Sequence, residues 1–217
     1  MTSEGRTLRD RIHALLAYEQ AFLQKPLNIL SRFLLLLAAG AVAASLFFPI
    51  WQIRLVAPQY RDGLTIDIYA YQLDSGNNGQ DLVEVNLLNH YIGMRPLEKA
   101  NFLEMQWMPF VFGLFVLLLL RAAALGRMIL VVDLVALFAY FGIFSLGTFA
   151  YRMYQYGHDL DPTAPMKMEP FMPTMMGVQQ IANFTQSSFP QLGAYLLFAS
   201  WVLVVAAGFV SRHEKLV

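Results

Sequence analysis

Asn86-Leu87-Leu88-Asn89-His90-Tyr91-Ile92-Gly93-Met94 is the densest run of polar and metal-capable side chains between two apolar blocks of this chain. Its reading decides what sits on top of the apolar blocks. Charged residues stop at Glu84 and resume at Arg95. If the run is helical, His90 and Met94 lie one turn apart on one face. If it is a tight loop, Gly93 supplies the bend and both side chains still converge. Imidazole and thioether together suit a soft ion such as Cu(I). The competing reading is a packed junction leading into the next helix.

Outward from this run lie long apolar segments. The 217 residues are 57% hydrophobic and only 14% charged, whereas a soluble domain carries about 25% charged residues. The deficit is concentrated in four blocks, 33–50, 107–121, 128–150 and 191–210, near the length a helix needs to cross hydrocarbon. The expectation is an all-α membrane protein with four transmembrane helices and a small β-containing periplasmic cap between the first two. Cysteine is absent, which removes disulfides, thiolate metal sites and thiol nucleophiles. Lys plus Arg equals Asp plus Glu at 15 each, a balance that argues against nucleic acid as a partner.

The segment 1–32 reads as a cytoplasmic, amphipathic, interfacial helix that stops near Pro26. The insert 51–106 reads as a β-rich cap. Within it, Leu64 to Leu73 alternates apolar and polar residues as a strand does. Asp74 to Gly79 is a turn cluster, and Asp81 to Asn86 alternates again, as a strand pairing back would. Pro96 fits a helix start, and Pro109 a bend in the helix that follows. The tail is 211–217.

Basic residues set the orientation. Arg6, Arg9, Arg11, Lys25 and Arg32 precede the first block, Arg121 and Arg127 flank the tight connection between the second and third, and Arg212 and Lys215 follow the last, nine in all against six in the two long connections. The positive-inside rule then places both termini in the cytoplasm and both long connections in the periplasm of a bacterial inner membrane.

The second long connection, 151–190, is rich in methionine: Met153, Met166, Met168, Met172, Met175 and Met176, with His158, Asp159 and Asp161 close by. Pro162, Pro165, Pro170 and Pro173 argue against a regular helix. Thioethers select Cu(I) over harder ions, though methionine is also a flexible packing residue. The candidate metal ligands are therefore His90, Met94, His158, Met166, Met168 and Met172, with copper as the one implied cofactor. Asp133 is the only acid within the four blocks, about 9 Å past Arg127 at helical rise, and is expected to pair with Arg121 or Arg127. No nucleophile–base pair, phosphate loop or haem-attachment motif is visible, so an enzyme ranks last.

Ala57-Pro58-Gln59-Tyr60, Gly63-Leu64 and the run Asn86 to Met94 together resemble elements of a group of bacterial four-span membrane proteins. The resemblance covers about 57–104. It implies a context of copper-dependent respiration, particularly nitrous oxide reductase maturation, and makes His90 and Met94 the positions of interest. Two functions follow. One is a membrane-anchored copper-handling or respiratory-complex maturation factor facing the periplasm. The other is a non-catalytic structural or assembly subunit of a larger bacterial membrane complex. Partners in both cases are the lipid bilayer and other membrane or periplasmic proteins.

Overall fold

The computed structural model describes residues 8–181 and 183–214. Residues 1–7 of the N-terminal segment and 215–217 of the tail lie outside them. The described chain forms six helices and five strands in the order α1 (Leu8–Leu23), α2 (Ile29–Ser45), β1 (Trp51–Ala57), β2 (Tyr60–Ile68), β3 (Leu73–Ser75), α3 (Gln80–Ile92), α4 (Glu104–Leu125), α5 (Met128–His158), β4 (Gly177–Ile181), β5 (Phe184–Pro190) and α6 (Leu192–Ser211).

The expected all-α protein with four transmembrane helices is not what forms. Three described helices, α4, α5 and α6, are long and apolar enough to cross a membrane, and they mark the chain as a membrane protein. The first apolar block falls short for a local reason. Asn28 caps α2 by accepting a hydrogen bond from Ser31 N at 2.8 Å, which starts the helix before the block. The helix then ends at Ser45, ahead of Pro49, and leaves 17 residues, about 25 Å of helix against roughly 30 Å of hydrocarbon. The polar part is not a small cap within one insert either. It is a five-stranded antiparallel sheet of order β3-β2-β1-β5-β4, whose last two strands come from the methionine-rich connection.

At one end of the bundle the chain is tied tightly. Leu27 N donates to Gly126 O at 2.8 Å and Met128 N to Lys25 O at 3.0 Å, so the segment after α1 grips the α4–α5 turn. Lys25 Nζ reaches Arg212 O at 2.5 Å. From this end α2 runs along α6 through small residues. Ser31 Oγ donates to Ala207 O at 2.7 Å and Ser200 Oγ to Ala38 O at 3.0 Å, while Ser211 Oγ meets Ser31 Oγ at 2.8 Å. Small side chains let the backbones approach and leave these hydroxyls carbonyl partners in an apolar setting. The bundle core is Leu35, Val42, Phe112, Leu119, Val131 and Val204 with their neighbours.

The sheet closes the other end. Its inner face is set by register: Ile53 lies between Ile66 and Ser188, and Leu55 between Leu64 and Gln186. α3 packs on this face through Val85, with Leu82 and Leu88 alongside. The expected strand at 81–86 is instead the first half of α3. Asp81, 2% exposed, accepts from Thr65 N at 2.9 Å and from Asn77 Nδ2 at 2.6 Å. This buried carboxylate pins the helix start onto β2, and helical spacing then buries Val85, Asn89 and Ile92. α4 begins at Glu104 rather than Pro96, and α5 continues to His158, well beyond 150.

Asp133 lies on the exposed surface of α5, and among the described residues no ion pair joins it to Arg121 or Arg127.

Gly193 is where α6 meets the end of α2. Its N–H donates to Pro49 O at 2.9 Å, and a Cβ would stand 2.8 Å from both Phe48 O and Pro49 O. Backbone cannot retreat as a side chain tip can. Gly193→Val should therefore lower stability by about 1–3 kcal/mol, whereas Gly40→Ala, with nothing within 4 Å of its Cβ, should be neutral or slightly stabilising. Thermal unfolding of the two variants in detergent micelles checks the contrast.

Candidate functional site

The run Asn86 to Met94 is the C-terminal half of α3 and its terminator. Gly93 adopts φ +81°, Met94 N donates to Asn89 O at 2.8 Å, and Gly93 N to His90 O at 3.3 Å. This is a Schellman termination, which needs a residue without a Cβ penalty in the left-handed region. The helix therefore stops between His90 and Met94, and they do not share a face. His90 is exposed, while Met94 turns inward beneath α3, beside Ile92, Leu97 and Met153.

The two asparagines fasten the chain that follows. Asn86 Oδ1 accepts from Leu97 N at 2.7 Å while its Nδ2 donates to Leu97 O at 3.2 Å. Asn89 Nδ2 donates to Arg95 O at 3.4 Å. The amides thus replace a strand partner for 95–97, the arrangement expected of a packed junction.

The second connection docks on this junction. Asp161 N donates to Gly93 O at 2.8 Å and Met166 N to Tyr91 O at 3.0 Å. Arg95 pairs with Asp159, and Tyr156 Oη donates to Pro96 O at 3.2 Å. Both connections therefore share one surface, with His90 near Asp161 and Met166 beside Tyr91. The remaining candidate ligands are spread out. His158 stacks on the Tyr154 ring at 3.9 Å between centroids, its Nδ1 3.0 Å from Tyr154 O. Met172 follows Phe171, whose N–H is bound to Gly157 O at 3.0 Å at the far end of α5. Met168 is half-buried on the segment between. Among the described residues no three His, Asp or Glu side chains gather as a metal cage would need.

What covers α3 on the outside is a feature the sequence reading missed. Val83, Leu87 and Tyr91 are 60%, 61% and 52% exposed, and their four-residue spacing makes one apolar stripe along the helix. The stripe was concealed because 81–86 reads equally as an alternating strand.

A second missed feature lies between the bundle and the sheet. Toward the sheet, α5 stands away from α4 and α6, and aromatic rings bridge the gap, with Phe115 and Phe138 4.3 Å apart and Trp107 and Phe144 6.1 Å apart. The space left is an apolar chamber of about 560 Å³ roofed by Ile53, Ile66 and Ile68 of the sheet. Glu104 and Arg152, joined at 2.9 and 3.2 Å, stand at its sheet end. The sequence signal was the aromatic density of 138–149, which reads equally as a lipid-facing helix surface.

Two carboxylates on this extramembrane surface titrate below their ordinary range. The Tyr60 hydroxyl donates to Glu84 and holds its carboxyl down, and the same bond pushes the Tyr60 phenol up. The Thr163 hydroxyl, at 2.6 Å, and the Thr163 N–H, at 2.8 Å, hold the Asp161 carboxyl down, with a smaller contribution from nearby His90. A depressed carboxylate contributes stability that is present above its unfolded value and is lost as pH falls through the folded one. The protection of the Thr163 amide, its exchange rate compared with that of an unstructured peptide at the same pH, should therefore hold at pH 5 to 7 and fall once pH drops below the ordinary carboxylate value of 3.8. Asp161→Asn should remove that acid-dependent step. Compared with family models, curated proteins and solved structures, the chain matches none.

Proposed function

We propose that this protein is a non-catalytic, membrane-anchored assembly subunit that docks a partner protein on the outer face of α3. The observation that carries this reading is the exposed stripe Val83, Leu87 and Tyr91 on a helix whose seat is rigid. Asp81 pins its start, the Gly93 terminator ends it, and the 161–166 segment braces its last turn. Exposed aliphatic and aromatic side chains at helical spacing are how a helix meets a groove on another protein. The sheet end carries this surface and the opposite end carries Arg32, Arg121, Arg127 and Arg212, so the basic-loop rule supports an orientation with the sheet on the outer side, which in a bacterial inner membrane is the periplasm.

A second reading is copper handling in a respiratory or copper-dependent complex. Its support is that the two connections meet at Tyr91 and Gly93, which brings exposed His90 and Met166 onto one surface. The resemblance over 57–104 supplies the same context. Against it, Met94 faces inward and His158 and Met172 sit at the end of α5. Any Cu(I) held at His90 would be open to solvent and shared with a partner's ligands.

The docking reading expects Leu87→Glu to weaken association with the native complex by about 2 kcal/mol or more, roughly 30-fold, without loss of folded protein. Co-purification from native membranes, with Gln80→Glu as the surface control, reads this out. Unchanged association in the Leu87 variant would sink the docking surface. For copper, Cu(I) titration against a competing chelator should show saturable binding near one ion per protein. His90→Ala should weaken it by about tenfold or more. No specific binding by the wild type, alone or in its native complex, removes the copper reading.

A further inference from the structure

The apolar chamber under the sheet has features of a lipid site. It is bounded by α4, α5, α6 and the sheet, and its volume of about 560 Å³ falls in the range of ligand pockets, roughly 300–1,000 Å³. Its sides are not sealed. Ile143, Phe144, Leu146 and Phe198 line it and are 72%, 56%, 53% and 63% exposed, so openings beside α5 face whatever surrounds the bundle. Around three helices long and apolar enough to cross a membrane, that surrounding is hydrocarbon. Empty apolar space forfeits dispersion contacts on every wall, and neighbouring chains are the material at hand to fill it.

The polar groups of the chamber say which lipid. Glu104 and Arg152 sit at the sheet end, facing each other, with side chains 17% and 28% exposed. One cation beside one anion complements a zwitterion better than an anion: a phosphate meets Arg152 while an ammonium meets Glu104. Toward the bundle interior from Arg152, by seven residues or about 10 Å of helix, lies Ser145. Its hydroxyl is the one buried side-chain polar atom without a hydrogen-bond partner among the described residues. A buried hydroxyl left unmatched is costly, and an ester carbonyl just inside a lipid headgroup is an acceptor at that depth.

We propose that the chamber binds one zwitterionic glycerophospholipid drawn from the bilayer, with its headgroup on Glu104 and Arg152, an ester carbonyl accepting from Ser145 and an acyl chain among the rings of α4 and α5. The lipid acts as a wedge that fixes the distance between α5 and the remaining helices and supports the sheet above. This inference is independent of what docks on α3.

All three tryptophans, Trp51, Trp107 and Trp201, line the chamber, so the protein carries its own probe. Delipidated protein in detergent micelles is titrated with phosphatidylcholine bearing brominated acyl chains, which quench tryptophan on contact. The expected result is quenching that saturates near one lipid per protein, with at least fivefold weaker apparent binding for brominated phosphatidylglycerol. Gly142→Phe fills the chamber from a position where a Cβ meets nothing within 4 Å, and should cut the saturable component at least threefold. Ser145→Ala should weaken it about three- to tenfold, the loss of one hydrogen bond. Quenching that rises linearly with lipid mole fraction in the wild type overturns the proposal, and that measurement needs no variant to fold. Equal saturable quenching in folded Gly142→Phe, or equal binding of the two headgroups, overturns it as well.

Discussion

The pairing of β1 with β5 is the constraint on which the rest of this structure depends. Trp51 to Val56 lies against Pro190 to Thr185, and so joins strands of the two long connections that lie more than a hundred residues apart in sequence. Gln191 N closes the pairing onto Ile50 O at 3.0 Å, and Gly193 seats directly on Pro49. With the strands locked, the end of α2 and the start of α6 cannot separate. The serine contacts along the two helices then fall into register. Trp51 Nε1 reaches Ser188 Oγ at 2.8 Å, and Ser188 Oγ donates to Met175 O at 2.8 Å, so the same pairing also holds the methionine-rich segment down.

From that lock the sheet gains an inner face with two tenants. One is α3 and the junction it terminates. The other is the last part of α5, which at 31 residues, about 46 Å, outruns the bilayer and brings Met153 and Tyr156 under the strands. Gly157 makes the close approach possible, since a Cβ there would stand 1.9 Å from Phe171 O. α5 meets the sheet where the Phe149 ring lies 5.1 Å from that of Trp51, and meets α6 lower down where Trp201 Nε1 donates to Val135 O at 3.3 Å, and the chamber lies along the stretch between. The chamber is thus a consequence of two anchorages on one long helix.

The outward surface follows from the same arrangement. α3 spends its apolar residues in two directions, Val85 and Ile92 inward and Val83, Leu87 and Tyr91 outward. A helix that serves only to cover a sheet would carry polar residues on its outer side. The polar residues most conspicuous in sequence, Asn86 and Asn89, are consumed in fastening the junction.

The strand expected over Leu64 to Leu73 breaks at 69–72, where Tyr69 N donates to Gln72 O at 2.9 Å, and Asp74 and Ser75, expected in a turn, instead pair back on β2 as part of β3. The sequence by itself determined the membrane character, the apolar cores of α4, α5 and α6, the strand through Leu64 to Ile68 and the helix that stops before Pro26. These follow from local composition and period, which need no distant partner. It also indicated that the two long connections share a surface, by placing both on one side. Tertiary structure alone decided the rest. β5 carries Gln186 and Ser188 on its buried face, so no hydrophobic alternation announces it; only pairing with β1 makes it a strand. Asp81 to Asn86 satisfies both the strand and the helix period, and the buried carboxylate of Asp81 on Thr65 selects the helix. The separation of His90 from Met94 came from the left-handed turn at Gly93, where the carbonyls of α3 found the second connection. The chamber was invisible because an aromatic facing lipid and an aromatic facing a cavity are the same letter, and only the standoff of α5 tells them apart.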